Sequence, residues 1–339
     1  MKNVFLIAAA LGMGVARGEC SPAEPMVRHA SPVQFQVLKP YQKEIDAEPT
    51  VERKFAYITR AVKAEQNVNG RRQILEAALR IPGVQREKFL ADVLATEEDS
   101  GLRSQAATGL GRFGSERVLN LLADAARNDR TTMMVLGDVA GASSARRAAT
   151  FAIAELAARF PRIADEAAAK LRALPVTEDP KDNESLADAR AQALYQITQN
   201  RALLTPFYAR LRSKDARERE RGIVAFQFFK LKSAPTEIVG ALKDTNLEVR
   251  RWAALVLGGI GDPKSAADLM AVAGNRAEDA SVRCNALYSL GEMKTTAAKD
   301  LLERLLSDPD AGVQSNAAIA LYRITGRKVK QFPEGYHVD

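Results

Sequence analysis

The chain has 339 residues, 46% of them hydrophobic and 27% charged, which is enough apolar content for an ordinary buried core. Aromatic residues make up 6% while alanine and leucine dominate, a balance suited to helices that pack closely through small side chains. The formal charge is +7; Lys2 and Arg17 carry two of those charges, and the +5 left elsewhere is too mild an excess to specify nucleic acid.

Residues 1–18 read as a cleaved export signal. Lys2 supplies the positive start, and Val4 to Ala16 is an apolar stretch of 13 residues, the length of a signal core and too short to span a bilayer. Ala16 and Gly18 place small residues at −3 and −1, so cleavage falls before Glu19. Cys20 is not expected to carry a lipid anchor, because Glu19 occupies the position that must be small. No other segment is long and apolar enough to cross a membrane, so the mature chain is expected to be periplasmic or secreted. With Cys20 and Cys284 the only thiols, a disulfide framework and a cysteine-based zinc site are both excluded, while one long-range bridge stays open.

Residues 19–50 hold Pro22, Pro25, Pro32, Pro40 and Pro49 without helical periodicity and read as an extended linker. From residue 51 to 326 a helical phrase recurs, as VRRWAALVLGGIGD from Val249, VRCNALYSLGEM from Val282, VQSNAAIALYRITG from Val313 and LRSQAATGLGRFG from Leu102. Aligned on its first residue, the phrase starts at Arg71, Leu102, Ala145, Leu186, Glu218, Val249, Val282 and Val313, with spacings of 31, 43, 41, 32, 31, 33 and 31 residues. Such a period marks a stacked array of about eight repeats. Residues 327–339 are left as a tail.

Within a repeat, positions 0, +4, +5, +8 and +11 are small or aliphatic and fall on one stripe of a helix. A Gly-Asp-Pro-Lys turn at Gly261–Lys264 ends one such helix, and a second amphipathic helix follows. Each repeat is therefore a helix-turn-helix pair whose apolar face is covered only by stacking. Position −3 holds Asp99, Asn183, Asp215, Asn246, Asp279 and Asp310, all side chains that cap helix N-termini. Position +1 holds Arg72, Arg103, Arg146, Arg219, Arg250 and Arg283, read as a ladder of ion pairs to the capping residues rather than as a ligand patch. Two spacings are about ten residues too long, through the insertions at 129–145, with Met133 and Met134, and at 175–185.

The pattern resembles the HEAT repeat family, in the phycobilisome-lyase type whose units read D-x-x-V-R-x-x-A-A-x-A-L-G-x-x-G-D. The likeness is strong over Asp244–Gly326 and around Asp99–Gly114. It implies an all-α solenoid, with the Val-Arg helices lining the concave side, and a family that serves mostly as a scaffold for other macromolecules.

Catalytic signals are missing. The two histidines, His29 and His337, lie in the linker and the tail. A HEAT-type iron enzyme, deoxyhypusine hydroxylase, uses several His-Glu dipeptides, and this sequence has none. No nucleophile elbow, Walker loop or dinucleotide fingerprint occurs. The chain is expected to be no enzyme and to hold no metal or cofactor.

Positions +2, +3, +6 and +10 point away from the buried stripe. Position +2 is polar except for Cys284, which is thus expected to face solvent. Position +6 is apolar, with Leu255, Tyr288 and Ile319; Trp252 sits at +3, and Phe228 and Arg323 at +10. This strip, flanked by Arg221, Arg251 and Arg323, is the candidate site for a protein or peptide partner, or else is covered where adjacent helices pack on each other. A bilin lyase or similar HEAT-type enzyme and a nucleic-acid-binding array are the competing readings. The first lacks a site, and the second fits poorly with export and modest charge. N-terminal sequencing or intact mass of the exported protein is expected to give Glu19 as the first residue; a retained Met1 or an acylated Cys20 would contradict the export signal as drawn.

Overall fold

The structure is a computed structural model and describes residues 41–128, 145–175, 180–327, 329–332 and 335–338. The predicted signal, most of the linker with Cys20, and the Met133–Met134 insertion lie outside these residues. The described chain is an all-α array closed by one short hairpin. It forms two compact units, one ending at Leu203 and the other starting at Leu204.

The first unit holds α1 (41–47), α2 (Val51–Ala64), α3 (Val68–Arg80), α4 (Val84–Thr96), α5 (Ser100–Phe113), α6 (Leu119–Asn128), α7 (Ala145–Arg159), α8 (Ala164–Arg172) and α9 (Pro180–Thr198). The second holds α10 (Thr205–Leu211), α11 (Ala216–Phe226), α12 (Thr236–Gly240), α13 (Leu247–Ile260), α14 (Ala266–Gly274), α15 (Ala280–Glu292), α16 (Lys299–Leu305) and α17 (Ala311–Thr325). The helices that open the predicted repeats are α3, α5, α7, α9, α11, α13, α15 and α17, and each of the first seven is followed by a second helix.

Capping follows the −3 position. Asp99 accepts from the Leu102 N–H, Asn246 from Glu248 and Val249, Asp279 from Ser281 and Asp310 from Val313, each within 3.2 Å. These are backbone donors that a helix start leaves without an internal partner. The predicted stripe is the core: Val249, Ala253, Ala254 and Leu257 are fully buried, and Ile260 half-buried at the helix end. There the N–H of Gly261 reaches the Leu257 carbonyl at 3.0 Å with φ +73°, the left-handed turn that glycine takes without strain.

Several successive opening helices touch through a column outside the five positions of the buried stripe. At position +9, Gly111, Gly258 and Gly291 face position +7 of the next opening helix, at Ala152, Ser289 and Ala320. A Cβ on Gly258 would lie 2.7 Å from the Ser289 Cα, and one on Gly291 2.9 Å from the Ala320 Cα. In the repeat that α17 opens, position +9 is Tyr322, 52% exposed.

The arginine ladder exists, but its acceptors differ from those expected. Arg219 pairs with Asp244 at 2.7 Å, Arg250 with Glu278 at 3.0 Å and Arg283 with Asp308 at 2.6 Å, one or two residues ahead of the cap of the next repeat. Arg72 points to a capping residue, Asp99, at 4.0 Å. The cap side chains are engaged with the first N–H groups of their own helices, while Asp244, Glu278 and Asp308 each accept one backbone N–H, from Asn246, Asp279 and Asp310, and also accept from the arginine. Arg103, Arg219 and Arg250 also donate to two carbonyls of the loop entering their own helix, for example Asp244 and Thr245 for Arg250. In the last repeat Gln314 replaces arginine and keeps a loop-carbonyl bond, to Asp308 at 2.6 Å.

Three expectations are corrected at the edges. Residues 41–47 are helical, not extended linker, because Ile45 is fully buried and the Tyr41 hydroxyl bonds Glu65 at the end of α2. The second insertion is partly helix, since α9 starts at Pro180. The tail carries antiparallel strands β1 (Val329–Phe332) and β2 (Gly335–Val338), paired from Val329–Val338 to Phe332–Gly335 and set against α17.

Close backbone approach makes Gly258 intolerant of a methyl group. Gly258→Ala is expected to destabilise the second unit by roughly 1–3 kcal/mol in urea unfolding. Gly240, in α12 of the same unit with nothing within 4 Å of an added Cβ, provides the control. Gly240→Ala should leave stability unchanged or raise it by up to about 1 kcal/mol.

Candidate functional site

The candidate strip lies on α11, α13, α15 and α17 of the second unit. Trp252, Leu255, Tyr288, Ile319, Arg251 and Arg323 are half-buried and Arg221 is exposed. Position +6 is half-buried at Leu255, Tyr288 and Ile319, and also at Phe151 and Val224 of earlier repeats, so there it is neither open surface nor closed core. Phe228 is half-buried too, but α11 ends at Phe226 and Phe228 falls in the following turn, so the helical wheel that aligned it does not apply there. The same turn presents Phe229 to Phe207 at 4.8 Å between ring centres, in the core.

Contacts run across the strip from helix to helix. The Trp252 indole on α13 lies close enough to Glu220 on α11 for its N–H to favour the charged carboxylate. Asn285 Nδ2 on α15 donates to the Arg251 carbonyl at 3.1 Å. The Arg323 guanidinium on α17 lies 4.8 Å from the centre of the Tyr288 ring and 2.9 Å from Glu292. Four helices are thus linked in sequence along one face.

The flanking arginines are internally paired. Arg221 meets Glu218 at 3.1 Å, Arg251 meets Glu248 at 2.8 Å and Arg323 meets Glu292. The first two are one-turn pairs on their own helices, which neutralise charge locally and contribute little to stability. What remains prominent is aromatic and aliphatic surface.

Burial raises the Glu220 carboxyl above the ordinary range, and Glu248 adds to this; the Trp252 N–H, Arg251 and Arg217 oppose it. Burial likewise raises the Tyr288 phenol, with Glu292 adding and Arg323 opposing. Glu220 was missed in the sequence as part of the site, although it occupies position +2 of the repeat before Trp252. Reading columns across neighbouring repeats, rather than along one helix, would have paired them.

Cys284 requires a correction. Expected to face solvent, it is 6% exposed and disulfide-bonded, so its sulfur is already covered by a partner. Among the described residues, no group of three or more His, Cys, Asp or Glu side chains could hold a metal ion, and no helix is long and apolar enough to cross a membrane.

Fold and repeat together define an α-solenoid of helical hairpins. Residues 273–332 match the HEAT repeats model and residues 249–275 the PBS lyase HEAT-like repeat model. The C-terminal repeats of this chain are therefore HEAT repeats of the kind the sequence resembles. No curated protein matches the chain. Among solved structures, human deoxyhypusine hydroxylase is similar at 16% identity and a TM-score of 0.34, over 84% of this chain and 97% of that one. The Escherichia coli protein YibA is similar at 17% and 0.42, over 86% and 97%. UNC-45 from Drosophila melanogaster is similar at 12% and 0.46, over 91% and 51%.

Glu220 offers a direct probe of the strip. Its folded pKa is raised, so its protonated form favours the fold, and its contribution weakens as pH climbs through the raised value. Trp252 is the sole tryptophan and lies beside this carboxyl, so its fluorescence should titrate with a midpoint above 4.5, the ordinary value. Glu220→Gln should abolish that transition.

Proposed function

We propose that this chain is an exported, non-catalytic HEAT-repeat scaffold that binds a protein or peptide segment on the face formed by its opening helices, the concave face of such an array. The observation that carries the reading is the continuous aromatic and aliphatic strip on α11, α13, α15 and α17, half-exposed and with its flanking charges paired internally. A partner that covers Trp252, Leu255, Tyr288 and Ile319 buries apolar area while leaving no unpaired arginine behind. Arg221, Arg251 and Arg323 then form a polar rim to the aromatic centre.

Export and the absence of activity belong to this reading as well. The signal-like N-terminus supports the first; the lack of any nucleophile, metal-binding or phosphate-binding motif in the sequence supports the second.

The test combines two substitutions. Trp252→Ala is expected to weaken capture of the partner from an envelope fraction by about 2 kcal/mol or more, as loss of an aromatic anchor does. Its cost in folding should stay well below the roughly 3–5 kcal/mol of truncating a core tryptophan. Leu257→Ala, in the fully buried stripe, should show the reverse: a stability loss of about 2–5 kcal/mol, with binding retained by the folded fraction. Unfolding of the second unit by Trp252→Ala, with Leu257→Ala tolerated, would overturn both the register and the site.

A further inference from the structure

Two arginines of the first unit, at the turns that end α3, α5 and α7, are placed unlike those of the ladder or the strip. Arg86, in the first turn of α4, donates through Nη1 to the Leu79 carbonyl near the end of α3 at 3.2 Å. Its guanidinium carbon lies 3.9 Å from the centre of the Phe113 ring. Arg159, the last residue of α7, donates to the carbonyls of Gly111 and Gly114 at 3.0 and 2.8 Å, on either side of Phe113 in the chain. Helix C-termini attract cations in this way. The two guanidiniums thus bracket Phe113, which is 41% exposed, and Arg159 is exposed as well. Burial, and after it the charge of Arg159, pushes the Arg86 guanidinium below the ordinary arginine value. Neither arginine has an acidic partner among the described residues, and the Arg86 Nε is buried without an acceptor. The nearest glutamates along the chain are already taken: Glu87 by the Ser115 hydroxyl, Glu155 by Arg112 and Glu116 by Arg162.

We propose that Arg86, Phe113 and Arg159 form a docking site for an acidic peptide segment, with a carboxylate on the guanidiniums and a neighbouring apolar side chain on the Phe113 ring. Both guanidiniums keep N–H donors that no described acceptor takes, and a carboxylate matches their fork geometry. Like charges held this close together are relieved by an anion rather than by a neutral ligand. Anchoring to the carbonyls of Leu79, Gly111 and Gly114 fixes both side chains before a ligand arrives, which lowers the ordering cost of binding. The exposed apolar surface favours a peptide over a bare anion: besides Phe113, Val84 is 79% exposed in the same turn of α4 as Arg86. A nucleic acid would need a run of free cations along its phosphates, and here Arg112 and Arg162 are already paired. The site lies on the first unit and does not rest on the strip of the second.

The test is fluorescence anisotropy with the full-length protein and a fluorescein-labelled Glu-Glu-Phe-Glu-Glu peptide, against a Gln-Gln-Phe-Gln-Gln control. The acidic peptide is expected to bind, more tightly at low salt, and the control about tenfold or more weaker. Arg159→Gln keeps an N–H donor for the Gly114 carbonyl while removing the charge, and should weaken the acidic peptide by about tenfold or more. Phe113→Ser, at an exposed position, should weaken it with the thermal transition unchanged, so a folding defect in the arginine variant does not decide the matter. Arg221→Gln, at the rim of the strip, and Trp252→Ala should leave peptide binding as it is, which separates failure of this site from failure of the strip. Several results would overturn the proposal: no binding of the acidic peptide, equal binding of the glutamine control, or binding that both Arg159→Gln and Phe113→Ser leave intact. Arg159-dependent capture of oligodeoxythymidine or of phosphatidylglycerol vesicles in place of the peptide would overturn it too.

Discussion

The spacing of this solenoid rests on backbone meeting backbone where one opening helix crosses the next. At Gly111, Gly258 and Gly291 the missing side chain lets position +7 of the following helix come so close that a methyl group would meet its Cα. Small residues on the facing helix complete the fit: Ala152, Ser289 and Ala320 are all buried. Ser289 uses its hydroxyl to bond the Ala254 carbonyl of the preceding helix at 2.8 Å, so its polar atom is satisfied inside the contact. Because the helices approach this closely, the +3 and +6 side chains of neighbouring repeats are brought into one file.

Orientation is set by a different interaction. Each ladder arginine in the second unit binds the loop entering its own helix or the helix before it, and also the carboxylate at the start of the next repeat. It therefore reports the position of one loop to the next. Arg283 is 4% exposed and Asp308 2%, and such a buried pair gains its Coulomb energy against a large desolvation cost. Its value is geometric as much as energetic, since removing either partner strands a charge in the core. Burial would raise the Asp308 carboxyl, but Arg283 and the Asp310 N–H outweigh it and hold it below the ordinary range. In α17 arginine gives way to Gln314 and position +9 is Tyr322, and the hairpin lies against that helix.

Much of this was legible in the sequence because repetition supplies an internal alignment. The helix pairs, the caps at Asp99, Asn246, Asp279 and Asp310, and the buried stripe all follow from columns that recur. What the columns hid was what lies between repeats. Asp244, Glu278 and Asp308 precede their caps by one or two residues, a variable offset that a fixed register does not expose. The Gly258–Ser289 contact joins two different columns in different repeats. Residues 41–47 contain too few turns to show a period, and their burial depends on Ile45 alone. Phe228 was misplaced because the wheel was carried two residues past the end of α11. For the site, Trp252, Leu255 and Tyr288 were legible as apolar residues off the stripe, whereas the proximity of Trp252 to Glu220 required knowing which helices adjoin.

The internal pairing along the strip shapes the recognition it would support on the proposed reading. Arg221 and Arg251 are each held by a glutamate one turn earlier, and Arg323 by Glu292 on the neighbouring helix, so an incoming carboxylate must compete with a partner already in place. An acidic ligand gains little there, since it exchanges one ion pair for another and strands a glutamate. An apolar or aromatic side chain meets no such exchange. It displaces water from Trp252, Leu255 and Tyr288 while the ion pairs at the rim stay wet and intact. Binding of that kind should depend weakly on salt, because the paired rim charges offer little steering to be screened. A nucleic acid, whose affinity comes mainly from phosphate contacts and falls steeply with salt, would find on this face arginines that are already neutralised.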